Sequence, residues 1–395
     1  MPAGRLGRRY VTVLMNWTTR AAVGSGPVAA RSGSSVLQEF LEGHLRSGTF
    51  PGGVAVVAEG DRILAEAVDG LAVLEPERRE VRRDTIFDLA SLTKPLATTL
   101  IAILLSEAGV VDLAGRVRDH FPEFDGGGRG EVRLRDLLLH RSGLPAWTPL
   151  YLGDGGRDGA IRRLLGLPLE APPGRRVVYG CPAFLLLGIV LEKVSGRGLD
   201  RLFRERVAAP LRLRHTGFLP GAGLRDRIAA TERGAAFERG RAGAAGAGWR
   251  GWRTEMIWGE VHDGNAHGFG GVAGNAGLFG TAPELIRLAR EFTAAGTGLV
   301  PEKWRRSFRR NATPGKGEAR SPGWQLAASG GSAGHGVLPA ASFGHTGFTG
   351  VSLWVEPGRS RIYVLLTNRV HPEARPTDMN AVRRDFHRAA AGIRA

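Results

Sequence analysis

The chain has 395 residues, 43% of them hydrophobic and 23% charged, enough apolar material for one large domain or two smaller ones with real cores. No apolar run approaches the roughly 20 residues that cross a bilayer, so stable membrane insertion is not expected. The formal net charge is +16, yet only four of the 54 basic residues are lysines and the arginines are scattered along the chain, which argues against nucleic acid as a partner.

Residues 1–36 are polar and rich in Gly, Ser and Arg, and read as a disordered leader. Within it, Arg8-Arg9 precedes a short apolar run over 10–15. That run is shorter than the roughly 7–15 residues of a secretory core, so a cytoplasmic location is favoured and export through a twin-arginine leader is the alternative. The remaining residues, 37–395, read as one domain. Val36, Leu37, Phe40, Leu41 and Leu45 have helical spacing. Residues 53–59 and 63–68 read as two strands around the turn Gly60-Asp61, a hairpin. A buried helix follows over 95–109.

The middle of the chain is helical in pattern, around 134–139, 183–194 and 202–207, and is punctuated by Gly143-Leu144-Pro145 and Pro172-Pro173-Gly174. Residues 234–250, with their Gly/Ala/Arg repeat, read as a flexible loop. Strands return over 342–348, 351–356 and 361–366, and a last helix covers 378–393. Strands at both ends with helices between them predict an α+β fold. One antiparallel sheet is assembled from the two chain ends, with a mainly helical insertion over about 116–260. The cleft between sheet and insertion is the expected ligand site.

Three short elements carry chemistry. The first is Ser91-Leu92-Thr93-Lys94, where residues three apart share one helix face. A serine hydroxyl becomes a useful nucleophile once a nearby base takes its proton, and a desolvated lysine can be that base. Pro95 is tolerated only in a first turn, so the helix must start close to Ser91. Ser91 then sits at the positive end of the helix with a free N–H for an oxyanion. The second is Tyr179-Gly180-Cys181 ahead of an apolar helix, where a phenol beside a lysine can relay a proton. The third is Gly344-His345-Thr346-Gly347, a strand of small residues along which a substrate can pair, with the Phe348 N–H as a second oxyanion donor.

In this order the three elements resemble the serine β-lactamase and D,D-peptidase superfamily, particularly its class C-like branch of esterases. The strings Phe87-Asp88-Leu89-Ala90-Ser91, Leu137-Leu138-Leu139-His140-Arg141-Ser142-Gly143-Leu144-Pro145, Gly270-Gly271-Val272-Ala273-Gly274-Asn275-Ala276-Gly277-Leu278 and Phe343-Gly344-His345-Thr346-Gly347-Phe348-Thr349-Gly350 strengthen the likeness. The resemblance implies that Ser91 forms an acyl-enzyme, that Lys94 and Tyr179 share the acid and base roles, and that the Ser91 and Phe348 amides form the oxyanion hole. It also implies that Cys181, His345, Thr346 and Gly347 face the substrate, a small acyl compound, without metal or cofactor.

Two residues depart from the pattern. Cys181 stands where the family has Asn, and a thiol holds a substrate amide poorly. His345 stands where β-lactamases have Lys, and a mostly neutral imidazole weakens the grip on a carboxylate. Both changes point toward ester hydrolysis, with β-lactamase or D-amino-acid peptidase activity as the runner-up. A catalytically silent, peptidoglycan- or protein-binding relative is the rival of another class.

Three further motifs compete less well. Gly330-Gly331-Ser332-Ala333-Gly334 spells a nucleophile elbow but lacks the strand and helix such an elbow needs. His262, Asp263 and His267 match no standard zinc spacing and read as loop structure, and Cys181 lacks any cysteine-nucleophile signature. His140 reads as a helix-end histidine bonded to its own loop.

Overall fold

The computed structural model describes residues 32–394, so the leader expected over 1–36 lies almost wholly outside the described residues. Its last few residues instead belong to the first helix, Gly33–Arg46, which the Ser32 hydroxyl caps by accepting from Ser35 N. The early strands are β1 (Gly52–Glu59), β2 (Arg62–Val73), β3 (Arg79–Glu80) and β4 (Phe87–Asp88). The middle and late strands are β5 (Gly217–Phe218), β6 (Leu278–Gly280), β7 (Arg320–Ser321), β8 (Trp324–Leu326), β9 (Phe343–Thr346), β10 (Ser352–Glu356) and β11 (Arg361–Thr367).

Eight of these strands form one antiparallel sheet in the order β3-β2-β1-β11-β10-β9-β8-β7. The two chain ends meet at its centre, where Val56 of β1 pairs with Val364 of β11. The expected α+β architecture is therefore present, and its strand period explains its packing. Val54, Val56, Ile362 and Val364 point to one face, under the helical region. Ala55, Val57, Tyr363 and Leu365 point to the other, where Leu37 and Leu41 of the first helix and Phe386 of the last helix, Met379–Ala391, cover them. With both faces buried, the central strands are apolar throughout.

Four features differ from the sequence reading. A second, small sheet, β4-β6-β5, ties Phe87–Asp88 to the glycine-rich segment before Gly280. A helix Gly156–Leu165 forms where none was expected. Residues 236–242 are helical rather than a flexible loop, anchored by the Glu232 carboxylate accepting from Phe237 N at 2.8 Å. The buried helix after Ser91 is not uniform: a 3₁₀ turn (Ala90–Leu92) leads into a wide π-type segment (Lys94–Thr99) and then the α-helix Leu100–Glu107. No helix among the described residues is long and apolar enough to cross a membrane.

Candidate active site

Ser91 lies in the 3₁₀ turn that leaves β4, and the turn is made tight by local bonds. Asp88 accepts from Ala90 N at 2.8 Å and from His262 N at 2.8 Å. Ala90 is held at φ 45°, a left-handed conformation costly for a residue with a Cβ, and this strain sits immediately before the serine. Burial pushes the Asp88 carboxyl above the usual range, against the hydrogen bonds that favour its charge.

Lys94 follows one turn later and is fully buried. Its Nζ donates to Ser91 Oγ at 2.9 Å and to the Asn275 carbonyl at 3.0 Å, and lies 4.0 Å from Cys181 Sγ. Burial opposes the ammonium, but Cys181, Tyr179 and the Asp263 carboxylate outweigh it and raise its pKa above the ordinary lysine value. Lys94 therefore rests as a cation, with its donors aimed at the serine. The glycine-rich segment docks beneath the same turn. Thr98 donates to Gly274 O at 2.7 Å, and Leu278 N donates to Thr93 Oγ1 at 3.0 Å.

Tyr179 enters from the helical region, just before the helix Cys181–Ser195. His140 clamps it from both sides of the chain. The His140 carbonyl accepts from Val178 N at 2.8 Å and its Nδ1 accepts from Gly180 N at 3.3 Å. Burial first, then the charges of Arg320 and Lys94, keep His140 neutral, its pKa well below the usual value. The Tyr179 ring is flanked by two cations, Lys94 Nζ at 5.2 Å and the Arg320 guanidinium carbon at 5.0 Å from its centroid.

These groups meet in a cleft of about 430 Å³ between sheet and helical region. Ser91, Tyr179, Cys181, Thr346, Gly347 and Phe348 border it. The placement of His345 needs correction. It is only 4% exposed and does not border the cleft: it shares the Phe343 side of its strand and lies behind Tyr179, with the two rings 5.5 Å apart. Burial, then Lys94 and Arg320, hold its pKa well below the usual value, and its Nδ1 donates to Thr346 O at 2.9 Å.

Neither the Ser91 nor the Phe348 amide has a hydrogen-bond acceptor among the described residues. Gly347 allows the two turns to approach. A Cβ there would lie 2.7 Å from the Leu89 carbonyl, just ahead of Ser91.

Cys181 borders the cleft at the start of its helix, with its thiol pKa raised by burial even though Lys94 pulls it down. A protonated thiol is a poor nucleophile. Ser332 is fully buried in the core beneath the last helix and away from the cleft. His262 bonds Glu232 at 2.8 Å and stacks on Phe348 with ring centroids 5.5 Å apart. Among the described residues no group of three or more His, Cys, Asp or Glu is arranged to hold a metal.

Sequence reading missed the walls. Trp147, Phe237, Glu238, Arg241, Arg369 and Arg383 also border the cleft. The Asn275 carbonyl was inside a quoted string, but nothing in that string indicates that its backbone reaches Lys94.

A family model described as Beta-lactamase matches residues 37–388, and the chain belongs to that family. It is a serine hydrolase. Among curated relatives it is 31% identical over 377 residues to the N-acetylmuramyl-L-alanine amidase of Bacillus subtilis (strain 168), covering 86% of this chain and 83% of the relative. Among solved structures it resembles EstCE1, a hydrolase with promiscuous acyltransferase activity, at TM-score 0.72 and 23% identity over 91% of this chain and 99% of that one. A penicillin-binding protein homologue from Caulobacter crescentus superposes at TM-score 0.69 with 19% identity, over 91% and 97% of the two chains. These two likenesses concern the fold.

Proposed function

We propose that the protein hydrolyses small acyl esters through an acyl-enzyme on Ser91. The observation that carries this reading is the 2.9 Å contact between Lys94 Nζ and Ser91 Oγ at the edge of an open cleft. Ser91 Oγ attacks the carbonyl carbon while its proton passes to the Lys94–Tyr179 pair. Because Lys94 rests as a cation, the competent form is the one in which that pair has already lost a proton. The oxyanion falls between the Ser91 and Phe348 amides. Collapse breaks the bond to the leaving alkoxide, which takes the proton. Water then attacks the acyl carbon by the same route, giving the free acid and restoring Ser91.

Cys181 supports esters over amides. Its thiol faces Lys94 and offers a weak partner to a substrate amide. The guanidinium groups of Arg241 and Arg369 beside the cleft favour a second reading, an amidase or D-amino-acid peptidase whose substrate carries a carboxylate. The amidase name of the Bacillus subtilis relative agrees with that alternative.

One panel tests both: p-nitrophenyl esters of increasing chain length, nitrocefin and a D-alanyl amide, on wild type, Ser91→Ala and Cys181→Asn. Turnover of esters that Ser91→Ala abolishes is expected, with Cys181→Asn raising the amide-to-ester ratio. Amide turnover exceeding ester turnover in the wild type would favour the second reading, and activity retained in Ser91→Ala would refute both.

A further inference from the structure

We propose that Arg383 and Arg369 are positioning residues that fix the direction of the Phe348 N–H, and so build the half of the oxyanion hole that the nucleophile's own turn cannot supply. The inference rests on the assignment of Ser91 and Phe348 made above.

A trans peptide places its C=O and N–H in one plane, pointing in opposite directions. Gly347 C=O and Phe348 N–H belong to the same peptide. Arg383, on the last helix and 5% exposed, donates from Nη2 to Gly347 O at 2.7 Å and to Val351 O at 3.1 Å. Holding the carbonyl on the helix side leaves the amide pointing away from it. Arg369 holds the next peptide, donating from Nε to Phe348 O at 2.8 Å, and its guanidinium carbon stacks 4.4 Å over the Phe348 ring. Its backbone N donates to Thr349 O at 3.0 Å, and Gly347 N closes the turn onto Val351 O at 2.8 Å. Every carbonyl from Gly347 to Thr349, and that of Val351, is thereby tied down.

Neither arginine pairs with a carboxylate at ion-pair distance among the described residues. Arg383 spends its other terminal nitrogen on Asn380 Oδ1 at 3.1 Å, and Arg369 on Arg375 O at 3.1 Å. Burial lowers the pKa of both groups. For Arg383, buried with its nearest carboxylate beyond ion-pair distance, this is costly, and an apolar residue could pack the same space more cheaply. The carbonyls these two grip are the ones whose orientation the chemistry depends on.

The test is kcat for the best p-nitrophenyl ester, normalised to active serines counted by burst titration, in Arg383→Met, Arg383→Lys and Arg369→Met. Loss of one oxyanion donor predicts a fall of roughly 10²- to 10³-fold in kcat per titrated site for Arg383→Met, with KM within about twofold. Arg383→Lys, which keeps a charged donor, is expected to recover at least about tenfold. A merely structural arginine would lower the melting temperature and the number of titrated sites but leave kcat per site unchanged, and that result overturns the proposal. Should Arg383→Met not fold, Arg369→Met carries the same measurement, with an expected loss of about tenfold. Ser91→Ala run alongside separates the two readings: turnover retained there refutes the nucleophile assignment whatever the arginine variants do.

Discussion

Acidification should destabilise this protein through one identifiable imidazole. His387, on the last helix four residues beyond Arg383, is fully buried, with its ring near Trp354, Tyr363 and Phe386. Its Nδ1 donates to Ala333 O at 2.8 Å, and its Nε2 is buried without a partner. Burial, helped by the charge of Arg383, lowers its pKa from 6.5 to about 4, although the bond to Ala333 works the other way. The unfolded chain therefore binds more protons than the folded one between about pH 6.5 and 4, so stability is full above that window and is lost as pH falls through it. A separation of about 2.5 pH units is worth ~3.4 kcal/mol at full extent, and about 2.5 kcal/mol of it is realised between pH 7.5 and 4.5. His387→Asn keeps a donor toward Ala333 O and removes the titration. Urea unfolding of both proteins at half-unit steps of pH should show the variant losing about 2.5 kcal/mol less than wild type over that interval, whatever its stability at pH 7.5. Parallel curves would refute the reasoning.

Two further outcomes follow from the site. Because Lys94 holds its proton more tightly than an ordinary lysine, kcat/KM for a neutral ester, corrected for hydroxide hydrolysis, should rise about tenfold per pH unit from pH 6 to 8, without an inflection from His140 or His345 near 6.5; a flat profile would show that proton removal from this pair is not required. Gly347→Ala should lose both activity and about 1–3 kcal/mol of stability, since its Cβ would press on the Leu89 carbonyl and on the Val351 side chain; unfolding and ester assays showing wild-type values would mean that the two turns have slack.

The parts of the fold that were legible are those long enough to carry a pattern. The hairpin β1–β2 and the strands β10 and β11 read as largely apolar runs bounded by turn residues, and the first and last helices carry apolar residues three and four apart. The small sheet was not legible because strands of two or three residues have no period to read. The helix Gly156–Leu165 buries only Gly159, Ala160, Leu164 and Leu165, too little for an apolar stripe, and 236–242 was masked by its Gly/Ala/Arg composition. At the site, Ser91 and Lys94 were readable because one helical turn brings them together. Tyr179 needed the resemblance, since 85 residues separate it from Lys94. His345 was expected against the substrate, but it is 4% exposed and packs behind the Tyr179 ring, and depth of burial is not readable from a four-residue strand. Arg383 and Arg369, which hold the turn at Gly347 and Phe348, were hidden among many others in an Arg-rich chain, and only the carbonyls they reach distinguish them.

The residue on which an acyl or phosphonyl group lands identifies the nucleophile. A fluorophosphonate probe followed by peptide mapping reads this directly. A single adduct on Ser91, absent from Ser91→Ala and slowed in a Lys94→Met variant, is the predicted result. No adduct on folded protein, or an adduct on Ser332 or Cys181, would contradict it.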